Sequence, residues 1–128
     1  VLLCGPDELD TRNAVQAAAR HKLIECDERQ PTIGKLKATI KCLDLLVCND
    51  SGPRHVAVAL GVPTVTIMGP TSPAYSCGPY ERGEVLRVDV DCGPCQQPVC
   101  KTDHRCMTRI DVARVVQSAR ASLPKTRV

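Results

Sequence analysis

Apolar positions fall in short unbroken runs separated by segments of helical period. Val1 to Cys4 is the first run, Gly5-Pro6-Asp7 supplies turn chemistry, and Thr11 to Arg20, rich in alanine and other good helix formers, predicts a helix. Lys22 to Glu25 is a weak strand candidate. Gln30-Pro31-Thr32 offers a helix start with Thr32 as N-cap, and Ile33, Leu36, Lys37 and Ile40 follow at helical spacing. After Asp44, Leu45 to Cys48 is a second buried-strand run. The unit then repeats. Past Asn49-Asp50-Ser51-Gly52, Pro53 suits the first helical position, and His55 to Leu60 continues a small-residue helix that ends at Gly61. Pro63 to Met68 is a third buried strand. Gly69 to Gly83 reads as a long loop and Val85 to Val88 as a short alternating strand. A last helix runs from an Asp111 N-cap through Val112, Val115, Val116, Ala119 and Leu123 to a stop at Pro124. Strands without polar alternation are buried on both faces of a parallel sheet, so the expected class is α/β, a doubly wound parallel sheet.

At 128 residues the chain is long enough for one domain with its own core and too short for two ordinary ones. It opens at Val1, without Met and already inside a buried run, which predicts a piece of a longer chain. The net charge of +3 comes from scattered residues rather than a basic stripe, and Tyr75 and Tyr80 are the only aromatic side chains. Nucleic acid is therefore not an expected partner. No apolar run nears the roughly 20 residues that span a bilayer, and no charged-then-apolar leader opens the chain. Of nine cysteines, Cys4, Cys26, Cys42, Cys48 and Cys77 are dispersed, three of them in or beside apolar stretches, and read as reduced packing residues.

Asn49-Asp50-Ser51-Gly52-Pro53 leaves a buried strand and enters a helix, which puts its backbone at the carboxyl edge of the sheet, where such folds place ligands. An anion suits that position. The first helical N–H groups lack internal partners and lie at the positive end of the dipole, Ser51 adds a hydroxyl, and Gly52 allows close approach. The loop is thus a candidate diphosphate cradle. The structural alternative is that Asp50 or Ser51 caps the helix and Gly52 serves the turn.

The stretch from Asn49 through Ser51-Gly52-Pro53-Arg54-His55 and Gly61-Val62-Pro63 to Gly69-Pro70-Thr71-Ser72-Pro73 resembles the signature of the ADP-heptose:lipopolysaccharide heptosyltransferases, glycosyltransferase family nine. The likeness reaches back to Gly5-Pro6-Asp7-Glu8 and forward through Cys92-Gly-Pro-Cys95, Cys100, Cys106-Met107 and Ile110. It implies a GT-B architecture of two Rossmann-like domains facing across a cleft. Residues 1–128 would be the C-terminal, donor-binding domain, incomplete at its N-terminus, with the N-terminal acceptor domain outside this chain. The implied activity is inverting transfer of a sugar, heptose from ADP-heptose, to a lipopolysaccharide-core or related glycan acceptor by a bacterial cytoplasmic enzyme. The full-length protein would touch the inner face of the cytoplasmic membrane peripherally, with no span. Amides around Ser51, Gly52 and Pro53 would meet the diphosphate, Pro53 itself donating nothing. Asp50 would lie beside the sugar. Glu8 resembles the acid that accepts from ribose hydroxyls, or is a solvated acid in a first helical turn. His55 would reach a phosphate or the sugar, or else bond a neighbouring loop, and Thr71 and Ser72 would line the cleft. The catalytic base is expected in the absent domain, with no cofactor required for catalysis.

Cys92, Cys95, Cys100 and Cys106 crowd into fifteen positions, loop 91–107. Four thiolates so close in sequence could surround a structural zinc, close as disulfides, or remain inert thiols. Cys92-Gly-Pro-Cys95 also matches a thiol–disulfide oxidoreductase dithiol, although such motifs lie near a domain's start with a Trp before them, and this chain has no Trp. A nucleotide-sugar epimerase-like or binding-only GT-B domain is the other alternative. Epimerases of that architecture follow Asp-Ser-Gly with a further glycine and an acidic run, where this chain has Pro53-Arg54-His55.

Overall fold

A computed structural model describes residues 1–5, 7–24 and 32–124, which fall into two compact units, residues 1–39 and 40–128. In the first unit the alanine-rich segment forms helix α1 (Leu9–Ala18), with Glu8 at its N-cap. Helix α2 (Ile33–Lys41) starts where the Thr32 signal predicts, and the Thr32 hydroxyl oxygen accepts the Lys35 N–H at 3.2 Å. Gln30, Pro31, Glu25 and Cys26 lie outside the described residues. The strand expected over Val1 to Cys4 is instead a single bridge at Leu2, whose N–H donates to the Ile24 carbonyl at 2.9 Å. A strand persists only with a ladder to pair against. Lys22 to Ile24 is likewise not a strand.

The second unit is built on three parallel strands in the order β1 (Leu46–Asn49), β2 (Thr64–Ile67), β3 (Gly83–Leu86). Leu46 pairs with Thr64 and Thr64 with Gly83, so the three strands end level at Asn49, Ile67 and Leu86. Helix α3 (Gly52–Ala59) is the crossover between β1 and β2 and packs on both. After the loop beyond β2 come two single turns, α4 (Pro73–Ser76) before β3 and α5 (Arg105–Thr108) after it. The last helix, α6 (Val112–Ser122), packs on β2 and β3. Ile40, Leu46, Ala57, Val62, Val65, Met68 and Leu86 are buried together with Thr64 and Thr66. The α/β class with a parallel sheet is as the sequence pattern predicts. Among the described residues no helix is long and apolar enough to cross a membrane.

Local chemistry explains the boundaries. Gly61 ends α3 with φ of 69°, its N–H donating to the Val58 carbonyl while the Val62 N–H reaches Ala57, the paired bonds of a Schellman stop. Asp111 caps α6 by accepting the Ala113 N–H at 3.1 Å. Three expectations are corrected. Leu45 to Cys48 predicts a strand buried on both faces, but β1 is an outer strand and Val47 is 45% exposed. The third strand starts at Gly83 rather than Val85, because Thr64 pairs with Gly83 and Thr64 N–H donates to the Arg82 carbonyl at 2.7 Å. On α6 the buried residue is Ser118, bonded to Glu84 at 2.7 Å, while Val112 and Val116 of the predicted stripe are exposed.

Gly83 combines φ of 123° with a backbone so near Thr64 that any Cβ would collide with it. Gly83→Ala should therefore lower stability by more than about 2 kcal/mol, measured by urea denaturation, through strain added to overlap. At Gly61 a Cβ meets nothing within 4 Å, so Gly61→Ala should cost only the left-handed conformation, about 1 kcal/mol.

Candidate functional site

Asn49 ends β1 and Gly52 opens α3, so Asp50 and Ser51 cross the carboxyl edge of the sheet. Ser51 is the N-cap residue, in extended conformation, yet its side chain makes no cap bond and its hydroxyl donates to the Asn49 carbonyl at 3.3 Å. Pro53 has no N–H to offer, and the Arg54 N–H turns back to the Ser51 carbonyl at 3.1 Å. Among the described residues no side chain therefore caps the positive end of α3. A Cβ on Gly52 would meet nothing within 4 Å, and its φ is not positive. Neither packing nor backbone strain demands glycine there, and the space in front of it is open. His55 is exposed one residue beyond Arg54.

Behind the loop lies a group that pattern reading missed. Arg54 is 0% exposed. One terminal nitrogen donates to Asp50 Oδ1 at 2.6 Å and to the Ser76 hydroxyl at 3.1 Å; the other donates to Glu81 Oε1 at 2.6 Å and to Cys77 Sγ at 2.9 Å. The Ser76 hydroxyl also reaches Asp50 Oδ2 at 3.3 Å, and Thr71 hydrogen-bonds the same carboxylate. Glu81 in turn accepts the Gly78 N–H at 3.3 Å. Both oxygens of Asp50 are thus engaged by protein, which ties the loop to residues 76–81. The only sequence signal for Arg54 is its spacing from Asp50, four residues, which suits a helix-start ion pair; its second carboxylate lies 27 positions on.

Burial works against the charge on Asp50, but hydrogen bonds from Thr71, Arg54 and Ser76 and the guanidinium's charge outweigh it and hold the carboxyl below its ordinary range. Burial likewise disfavours the Arg54 cation, and Glu81 and Asp50 reverse that and strengthen it. One cation facing two carboxylates leaves the cluster formally at −1. Arg54 has no charge to spare for a ligand. Burial also pushes the Cys77 and Cys48 thiols up, so both stay protonated near neutral pH.

The remaining sequence candidates separate. Thr71 joins the loop through Asp50. Ser72 does not, because its oxygen caps α4 by accepting the Ala74 N–H at 3.4 Å. Glu8 belongs to the first unit, where its Oε2 accepts the Gly5 N–H at 2.6 Å and closes the turn before α1. The four clustered cysteines are free thiols that go separate ways. Cys92 and Cys95 are exposed, Cys100 Sγ accepts the Thr102 N–H at 3.4 Å, and Cys106 lies against Gly69. Among the described residues no group of three or more His, Cys, Asp or Glu side chains is placed to hold a metal ion. Nor does a helix follow Cys92-Gly-Pro-Cys95 directly, α5 beginning only at Arg105, so the dithiol lacks the helix start that activates oxidoreductase cysteines. Loop 91–107 packs on the segment that follows β2. Gln96 N–H donates to the Pro70 carbonyl at 2.9 Å, and a Cβ on Gly69 would stand 2.5 Å from Met107 Sδ. The loop thereby braces the segment that carries Thr71.

Residues 1–105 match Glycosyltransferase family 9 (heptosyltransferase). The chain is 35% identical over 92 residues to lipooligosaccharide heptosyltransferase 2 of Campylobacter jejuni, covering 70% of this chain and 28% of that protein. It is 34% identical over 93 residues to lipopolysaccharide heptosyltransferase 1 of Pseudomonas aeruginosa, covering 60% of this chain and 26% of that one. The crystal structure of the glycosyl transferase family 9 from Veillonella parvula superposes with a TM-score of 0.78 at 28% identity, over 95% of this chain and 35% of that chain. The chain therefore spans little more than a quarter of the curated relatives that it matches.

Because the folded-state pKa of Asp50 is depressed, its contribution to stability is complete above the unfolded-state value of about 3.9 and is lost as pH falls through the lower folded-state value. Thermal unfolding followed from pH 7 to pH 2 should show an acid limb that is shallower in Asp50→Asn. An unchanged limb would mean that this carboxylate is not the one being titrated.

Proposed function

This chain belongs to glycosyltransferase family 9, and on that premise we propose that it supplies the donor diphosphate site of an inverting sugar transferase. The carrying observation is the uncapped start of α3, with open space at Gly52 and a braced loop behind it. Backbone donors and the helix dipole converge there on one point, an arrangement that favours an anion. In this reading the diphosphate of a nucleotide sugar lies over Ser51 and Gly52, and His55 reaches it from the first turn. Asp50, drawn inward by Arg54, Ser76 and Thr71, keeps the loop in place beside the sugar rather than reacting with it.

The proposed step is direct displacement at the anomeric carbon. A base removes the proton of an acceptor hydroxyl as that oxygen bonds the sugar, and the bond to the nucleoside diphosphate breaks with its electrons leaving on the diphosphate. The helix-end amides stabilise the charge that develops on the departing group. Because the Arg54 cluster is formally anionic, further cations must come from elsewhere in the full protein. The base belongs to the acceptor-binding domain in this reading. ADP-heptose and a lipopolysaccharide-core glycan are the proposed donor and acceptor, by likeness to the relatives named above, with the enzyme working at the cytoplasmic side of the membrane.

Calorimetric titration of the chain should show weak ADP binding, and Gly52→Val should reduce it about tenfold or more by filling the space at the phosphate. The chain alone should transfer no sugar. Tight selectivity for UDP over ADP would instead favour the epimerase-like reading, and rapid transfer by the isolated chain would overturn the division of labour proposed here.

A further inference from the structure

Neither Ser51 nor Gly52 fixes the site loop: Ser51 makes no cap bond, and a Cβ on Gly52 would meet nothing within 4 Å. The loop is held by Arg54, which joins Asp50 on one side to Ser76, Cys77 and Glu81 on the other. As a purely stabilising choice this side chain is a poor one. A cation in the first turn opposes the helix dipole, and apolar packing of similar volume often serves as well as a buried ion pair. Its Nε is buried without a hydrogen-bond partner among the described residues, which is a further penalty. What a planar guanidinium supplies that apolar packing cannot is direction, two terminal nitrogens fixed relative to one another.

We propose that Arg54 is a positioning residue for the donor site, locking residues 49–53 to residues 76–81 so that the start of α3 stands preset for a diphosphate. It does not touch the ligand, being fully buried with both terminal nitrogens occupied. It acts through Asp50. Segments 49–53 and 76–81 then move as one body, and the amides of the first do not have to be ordered when the anion arrives. The inference rests on the donor-site reading above and adds to it the residue that sets the loop's geometry.

The test is calorimetric titration of the chain and of Arg54→Lys, Arg54→Met and Glu81→Gln with ADP and, separately, with AMP, which lacks the second phosphate. All are measured well below the lowest unfolding midpoint, with circular dichroism confirming the fold. Arg54→Met should weaken ADP about tenfold or more and AMP by less than about twofold. Arg54→Lys and Glu81→Gln should fall between, since an ammonium cannot hold two carboxylates as a fork does. Should Arg54→Met fail to fold, the other two variants carry the comparison. ADP affinity within about twofold of the unsubstituted chain in the folded variants, or equal loss for ADP and AMP, would overturn the inference, because a general structural role predicts no selective loss of the second phosphate's contribution. No binding of ADP or UDP by the unsubstituted chain would instead sink the donor-site reading, and the inference with it.

Discussion

A guanidinium with no exposed surface must have its charge met inside the protein, and Arg54 is met by carboxylates from two separate loops. Removing one partner of such a buried set strands the others and costs about 3–5 kcal/mol, far more than an exposed ion pair contributes. The consequence reaches beyond stability. Asp50 is drawn inward and down, leaving Ser51 and Gly52 as the outward face of the turn, while residues 76–81 are anchored although only the single turn α4 precedes them. The turn between β1 and α3 is thus ordered from behind.

Other parts of the unit serve the same edge. Level strand ends put the β1–α3 turn and the loop after β2 side by side, because β1 and β2 pair in parallel register from Leu46 with Thr64 to Asn49 with Ile67. Loop 91–107 then packs on Gly69 and Pro70, and Thr71 passes that contact to Asp50. A Cβ at Gly69 would push into Met107 and Cys106. The cysteine-rich segment braces the loop after β2. Its thiols are dispersed over packing contacts and solvent, as a loop shaped around Gly69 and Pro70 requires.

Much of this was legible beforehand where the signal is local. Thr32 and Asp111 as caps, Gly61 as a stop and the Asn49-Asp50-Ser51-Gly52-Pro53 turn each depend on a few neighbouring residues, and each is where the pattern places it. Reading was weaker where a residue's role is set far along the chain. Val112 and Val116 read as core, but α6 buries Ser118 against Glu84, 34 residues back, and leaves both valines exposed. Val85 read as a strand start, but pairing with Thr64 begins the strand at Gly83.

The sequence by itself determined the α/β class and the position of the turn between β1 and α3, because each follows from short-range chemistry: periodicity, caps, a missing N–H, a residue without a Cβ; the family was carried by the motif from Asn49 to Pro73. Only the tertiary structure decided what holds that turn. Arg54 reads as one cation in a helical run until the fold brings Glu81, 27 residues away, to its second nitrogen. A buried charge is stable only where distant partners converge on it, and convergence is a property of the folded backbone that no local window contains.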